Sequence, residues 1–463
     1  MFKNLKINAE LLLITLSALA LRLFNLGKLN LWQDEGYSVG YAYRGLTFIF
    51  RESFTAEPNP PLYNLCLTLW IKIFGESEFV LRLPSAIFGA LSISLVYLIG
   101  KKYVSRRVGI LSAILIIGNP FYLEYSQEAR VYSFFSFICL CSVYYFPLHF
   151  EWKDKKKYIA ASLLVPWAHA YGVFLLLAQS IYVFLSFFSN KCGKEFIKSW
   201  IRIQGAIFLI ASIWYIPFFL NKEKYMRRLN WIRPISLNEF FELLKSYIGE
   251  KTFAFEALLL TSLAIVIWML IKKKNIKNTG VAFLFLWLLF TLVIPLIAGH
   301  YWQPFLMRRY TIAASMVFSI IVLAPFDIFL KESKKLFATL VLLAALFNVW
   351  EVQNYFKSAR KQEWEKVLNT ILLNDKTQIS IAMEEYYEGS SLEYYVRKMG
   401  LEKKITIYYL SDVNQLEAIL KNKTQVWFIH AENLKLREYD RHLSKESFSH
   451  PNDLLQLIKL KAE

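Results

Sequence analysis

Residues 11–37 read LLLITLSALALRLFNLGKLNLWQDEGY. Residues 11–26 carry a single charge, Arg22, and supply most of the roughly 20 apolar residues that a membrane-spanning helix needs. The run then gives way to a short polar segment with Asp34 and Glu35 among aromatic residues. The same alternation of apolar run and short polar break continues for most of the 463 residues. Eight more clear runs fall at 83–99, 108–121, 131–148, 203–220, 253–271, 281–298, 311–330 and 336–350. The run 158–188 is too long for one span, and Pro166-Trp167-Ala168-His169 interrupts it, so it reads as two short spans joined by a tight turn. That makes eleven.

Composition agrees. Hydrophobic residues make up 56% of the chain and aromatic ones 17%, with mean hydropathy +0.34, well above an ordinary soluble domain. The net charge of +18 does not point to nucleic acid. The basic residues stand in short clusters between apolar runs rather than along one face. Lys101/Lys102/Arg106/Arg107, Lys155 to Lys157, Lys191/Lys194/Lys198, Lys272 to Lys274 and Lys331/Lys334/Lys335 all fall on one side of the eleven-span arrangement. The positive-inside rule makes that side cytoplasmic. The N-terminus is then cytoplasmic, and the region from about Ser358 lies outside. The first run also resembles a signal peptide, with Lys3 and Lys6 before Ala18-Leu19-Ala20. The four cysteines show no metal-binding spacing and no disulfide framework.

The expected fold class is therefore an all-α polytopic membrane domain, residues 1–357, followed by a small extracytoplasmic α/β domain, residues 358–463. In the tail, Trp364, Val367, Leu368, Ile371 and Leu372 have helical spacing, 378–383 reads as a strand, and Leu392, Tyr395, Val396 and Met399 again as a helix. A strand at 404–410, a helix around Val413 to Leu420 and a strand at 425–430 complete the pattern. No Gly-rich phosphate loop or catalytic set stands out there, so a structural or acceptor-facing role is expected. Two further outside segments are long. In the first, 27–82, Leu62, Leu65, Leu69 and Ile73 have the spacing of a helix lying in the membrane interface. The second, 221–252, carries Lys222, Lys224, Arg227, Arg228 and Arg233 on the side where the rule predicts few cations, as an anion-binding segment would.

Candidate chemistry gathers at the outer ends of spans. Asp34-Glu35 reads either as a solvated turn or as a functional acid pair. Glu57-Pro58-Asn59-Pro60-Pro61-Leu62-Tyr63 is rigid and extended. Arg130 opens an apolar run, which is costly unless the guanidinium snorkels or meets an anion. Arg308 and Arg309 stand at another boundary, and His169 and Tyr171 share the turn between the two short spans.

In order along the chain, LWQDEGYSVGYA, EPNPPLY, LWIKIFGESEFVLRLPSAIFGAL, YLEYSQEARVYSF, HAYGVFLL and MRRY resemble the protein-mannosyltransferase-like branch of the GT-C glycosyltransferases. That branch is related to the lipopolysaccharide-core and lipid A aminoarabinose transferases. The resemblance covers roughly residues 8–355 and is densest through the first 175. It implies that Asp34 is a general base with Glu35 beside it, and that a polyprenyl-phosphate sugar donor meets a glycan, lipid or protein acceptor at the outer membrane face. It also implies substrate-contacting roles for Asn59, Tyr63, Glu128, His169 and Tyr171. One departure matters: Asn59 stands where relatives often carry His or Lys, so a cationic phosphate contact is missing or comes from elsewhere.

The chemistry suits these residue types. Breaking the anomeric C–O bond leaves a lipid phosphate, which needs positive charge, and arginine offers a bidentate fork. Arg130, Arg309 and Arg308 are the candidates for the donor phosphate. An acceptor hydroxyl is a poor nucleophile, and a carboxylate base contributes roughly 10²–10⁴-fold. No cofactor is expected, although Asp34, Glu35 and Glu57 could share a divalent metal as hard oxygen ligands. The rival readings are a transporter or flippase, and a metal-dependent ligase that uses lipid pyrophosphate. A transporter would more often show internal repeats and broken helices at the midplane.

Overall fold

The computed structural model describes residues 9–55, 57, 59–227, 229–249, 252–271, 279–359, 361–375, 378–384, 390–410, 413–422, 425–431, 443–447 and 455–462. Arg228 and the Lys272 to Lys274 cluster lie outside the described residues. In chain order the helices are α1 (Ala9–Leu23), α2 (Gln33–Thr55), α3 (Leu62–Phe74), α4 (Glu78–Tyr103), α5 (Arg106–Ile117), α6 (Pro120–Ser126) and α7 (Tyr132–Tyr145). They continue with α8 (Lys155–Ala168), α9 (Gly172–Phe188), α10 (Lys194–Leu220), α11 (Lys222–Arg227), α12 (Leu237–Ser246), α13 (Thr252–Ile271) and α14 (Thr279–Tyr301). A 3-10 turn (Arg308–Thr311) leads into α15 (Ile312–Ser315), α16 (Phe318–Leu323), α17 (Asp327–Glu332) and α18 (Lys334–Ser358). The tail contains α19 (Trp364–Asn374), α20 (Ser390–Lys398) and α21 (Val413–Asn422).

Every apolar run is helical. Among the described residues four helices, α4, α10, α14 and α18, are long and apolar enough to cross a membrane, and counting each of two bent pairs as one span raises that to six. The apolar helices α3, α7, α9 and the stretch Glu256–Ile271 are shorter. At about 1.5 Å per residue, α7 and α9 fall short of a full bilayer core. The split of 158–188 holds: α8 and α9 are separated by residues 169–171.

Two compact units emerge, one comprising Met1–Phe24, Thr47–Leu65 and Arg82–Ser358, the other Asn25–Leu46, Cys66–Leu81 and Ala359–Glu463. The tail unit thus also takes in two stretches from the first outside segment. The boundary within α2 falls beside Gly45, whose φ of +84° breaks the helix in a conformation that only glycine adopts without strain.

In the first unit, two helices break where the sequence predicted continuous spans. The pair α5 and α6 bends by 68°. Pro120 opens α6 and Asn119 caps it, accepting from Phe121 N at 2.8 Å. Backbone groups freed at such a break inside a membrane protein must find partners. Asn348 of α18 provides them, donating to Ile114 O at 2.7 Å and accepting from Gly118 N at 2.9 Å. The bond depends on close approach, because a Cβ on Gly118 would lie 2.7 Å from Asn348 Oδ1. The segment 311–330 is likewise broken, with Arg308–Ser315 and Phe318–Glu332 at 48°. Ser315 Oγ donates to Ile312 O and Ser319 Oγ to Met316 O, and such back-bonding bends helices.

The second unit carries a mixed sheet. Its strands are β1 (Ile379–Glu384), β2 (Ile405–Leu410), β3 (Gln425–Ala431), β4 (Leu443–Ser447) and β5 (Leu455–Ala462), ordered β2-β1-β3-β5-β4. β1 runs parallel to β2 and β3, while β5 runs antiparallel to β3 and β4. Ala382, Leu410, Leu416, Val426, Phe428 and Leu460 form a core between the sheet and α21. The three strands expected from the sequence are present. β4 and β5 lie beyond the expected strands: 443–447 (LSKES) lacks a β-rich run, whereas 455–462 (LQLIKLKA) does carry the apolar/polar alternation of a strand.

Candidate active site

The first unit collects aromatic and cationic side chains from three connections. His169, at the C-terminal cap of α8, is buried, and its Nδ1 accepts from Tyr171 N at 3.2 Å. The ring nitrogen that accepts cannot carry the proton, so Nε2 is the N–H donor of the neutral ring. Among the described residues Nε2 has no hydrogen-bond partner. The imidazole sits in an aromatic cage, with ring centroids 5.0 Å from Phe135, 5.0 Å from Tyr310, 5.8 Å from Tyr171 and 6.2 Å from Tyr132. Tyr171 is fixed in turn by its hydroxyl, which donates to Phe305 O at 2.6 Å.

Arg130 and Arg309 rim this cage. The Arg130 guanidinium lies 5.8 Å from the Tyr132 ring, and that of Arg309 lies 5.8 Å from Tyr310 and 5.5 Å from Trp231. Arg308 lies over Phe121 at 4.7 Å. Its Nε and Nη2 are buried and have no hydrogen-bond partner among the described residues. Arg308 also lines a cavity of about 610 Å³ together with Trp231, Ser246 and two ion pairs, Arg233 with Glu239 at 3.6 Å and Lys245 with Glu242 at 2.7 Å. Buried guanidinium N–H groups without acceptors are costly unless an anion completes them. The surrounding frame is tight: Tyr122 OH reaches Ser315 Oγ at 3.2 Å, and Tyr247 OH donates to Thr311 Oγ1 at 2.7 Å.

The segment that presents Glu128 and Arg130 is anchored from α1. Arg22 is wholly buried and donates to Ser126 Oγ at 3.1 Å and to Ile117 O at 3.2 Å. Gln127 donates back to Arg22 O and Phe24 O at 3.0 and 2.8 Å. Glu128 is buried as well. Asn59 is engaged by its own loop, donating from both its backbone N and its Nδ2 to Glu57 Oε1 at 3.1 and 2.7 Å. Tyr63 is buried against Phe134, centroids 6.2 Å apart.

The acid pair belongs to the second unit, in the first turn of α2. There the two carboxylates differ. Glu35 is completely buried; its Oε2 accepts from Lys361 Nζ at 2.8 Å and from Trp32 N at 3.3 Å. Asp34 is half-buried. Lys361 was not singled out from the sequence, where it is one lysine in a basic stretch with no periodic signal. Nearby, Tyr395 and Lys398 of α20 meet Glu78 at 3.1 and 2.5 Å. Burial, with Glu78 beside it, holds the Tyr395 phenol well above its ordinary range. Burial works against the Lys398 ammonium, but bonds to Glu365 and Glu78 outweigh it and leave its pKa above the usual value. Among the described residues, no three His, Cys, Asp or Glu side chains group closely enough to hold a metal ion.

The whole chain superposes on known folds. ArnT from Cupriavidus metallidurans in the apo state matches over 97% of both chains with TM-score 0.60 at 11% identity. The fold is that of the GT-C glycosyltransferases. The same ArnT bound to undecaprenyl phosphate matches over 98% of both chains, with TM-score 0.57 and 10% identity. The apo oligosaccharyltransferase of Archaeoglobus fulgidus matches over 98% of this chain and 74% of its own, with TM-score 0.56 and 14% identity. Residues 58–222 match the family of dolichyl-phosphate-mannose-protein mannosyltransferases. An uncharacterized protein of Aquifex aeolicus is 24% identical over 236 residues, 47% of this chain, and the match spans under half the relative's own length, 45%. The matched segment 58–222 contains Asn59, Tyr63, Glu128, Arg130, His169 and Tyr171; Asp34 and Arg308 lie outside it.

Proposed function

We propose that this chain is an integral-membrane glycosyltransferase that moves a hexosyl or pentosyl unit from a polyprenyl-phosphate donor to an acceptor hydroxyl at the outer membrane face. The observation that carries this reading is Arg308 in the wall of the cavity, whose buried Nε and Nη2 have no acceptor among the described residues. Donor-phosphate oxygens complete it. Arg130 and Arg309 share the phosphate, and the His169 Nε2–H adds a neutral donor, supported by its tautomer. These groups are preorganised, so charge developing on the leaving phosphate is met without reorganisation. Asn59, Tyr63, Glu128 and Tyr171 shape the substrate side.

Asp34 acts as the base, removing the acceptor proton as the new C–O bond forms opposite the departing phosphate, which inverts the anomeric centre. Its half-exposed position supports that role better than the buried, lysine-paired Glu35. Undecaprenyl phosphate, named with the ArnT structure, is the carrier to try first. In this reading the N-terminus is cytoplasmic and the C-terminal tail lies outside. No cofactor is invoked, and a metal-dependent ligase remains the outcome that a chelator would reveal.

The test is to incubate the purified protein with a panel of radiolabelled polyprenyl-phosphate sugars and membrane extract. Transfer of label from one carrier supports the proposal. Transport of intact carrier without cleavage would replace it with a flippase.

A further inference from the structure

The tail unit does more than follow the last apolar helix. Three successive backbone N–H groups at the start of α2 are all taken by side chains: Leu31 N donates to Tyr395 OH at 2.7 Å, Trp32 N to Glu35 at 3.3 Å and Gln33 N to Gln362 Oε1 at 3.0 Å. Two of the three acceptors come from the tail. Ser391 Oγ donates to Trp32 O at 3.3 Å. The start of α20 seats against Gly36 and Gly40, one turn apart, where a Cβ on Gly36 would lie 2.1 Å from Ser391 Oγ and 2.7 Å from its backbone N. Into this seat Lys361 brings its ammonium, 14% exposed, to the fully buried Glu35.

We propose that Lys361 is a positioning residue for sugar transfer: by neutralising buried Glu35 it locks the first turn of α2 and so fixes the adjacent Asp34. The inference rests on the reading of Asp34 as the base. The physical reason is the asymmetry of buried ion pairs. Truncating one partner of a buried ion pair is costly, and the relaxation of Glu35 that follows moves the turn that carries Asp34. A misplacement of about 1 Å is enough to cost a large factor in rate. Donor affinity, which belongs to the arginines of the other unit, should not change.

The full-length protein in lipid nanodiscs is compared as wild type, Lys361→Met, Lys361→Met with Glu35→Gln, and Asp34→Asn. Lys361→Met should lower kcat by about tenfold or more while leaving KM for the carrier sugar unchanged. The paired variant, with both charges gone, should return kcat to within about threefold. Hydrogen exchange of the amides of residues 31–33 should quicken in Lys361→Met and slow again in the pair, a readout independent of turnover. Unchanged kcat in Lys361→Met, or a paired variant as impaired as the single one, overturns the proposal. If Lys361→Met does not fold, the folded pair retaining turnover supports it and an inactive folded pair overturns it. Normal transfer by Asp34→Asn would instead sink the base assignment, and the exchange data would still report whether Lys361 holds the turn.

Discussion

Asn348 of α18 bridges the break between α5 and α6, its side-chain oxygen accepting from Gly118 N at 2.9 Å while its amide nitrogen donates across the same break to Ile114 O at 2.7 Å. A polar residue in an apolar helix is expensive, and here it satisfies backbone groups that have no water to turn to. Asn348→Leu should leave Gly118 N–H buried and unsatisfied and destabilise the protein by about 2 kcal/mol. The check is the midpoint of unfolding in detergent, and an unchanged midpoint would show that the break is held by other contacts.

Arg308→Ala should weaken binding of polyprenyl phosphate by about tenfold or more, because charged hydrogen bonds to phosphate are lost. Arg308→Lys should lie between, keeping charge but not the fork. Isothermal titration in nanodiscs, with the phosphate-free polyprenol as control, measures both. Equal affinity in wild type and Ala variant would assign Arg308 to packing over Phe121.

For Asp34→Asn, shape and polarity survive while basicity is lost, so single-turnover transfer should fall by about 10²-fold or more with donor binding intact. The same assay run with a chelator is expected to show no change. Chelator-sensitive transfer would move the carboxylates to a metal-binding role.

His169 offers a separation of its two nitrogens. Gln places an amide nitrogen near the position of Nε2, whereas Asn reaches only as far as Nδ1, so His169→Gln should retain more carrier affinity than His169→Asn. The reverse order would mean that the bond to Tyr171 N matters more than the Nε2–H.

The side of the membrane on which the tail lies is testable directly. A reporter active only in the cytoplasm, fused after Glu463, should be silent; a bright signal would overturn the odd number of spans.

Sequence by itself determined the helical membrane architecture, because each apolar run is long, nearly uncharged and set off by polar breaks, and hydropathy is a local property of the chain. It also marked the α8–α9 turn through Pro166 and His169, and three of the five strands through their β-rich runs. The candidate site was legible only as a set of costly residues at span ends: Arg130, Arg308 and Arg309 stand out because cations at apolar boundaries need a reason. Tertiary structure alone decided the rest. That the buried Nε and Nη2 of Arg308 lack acceptors among the described residues while Arg308 lines a cavity, that His169 offers its Nε2–H, and that Glu35 is buried on Lys361 depend on neighbours tens to hundreds of residues away in sequence or on a tautomer set by one backbone bond. The breaks at α5–α6 and within 308–332 escaped the sequence for the same reason. What stabilises a broken helix in an apolar medium is the partner that satisfies its freed backbone groups, and for α5–α6 that partner is Asn348, 230 positions from Gly118.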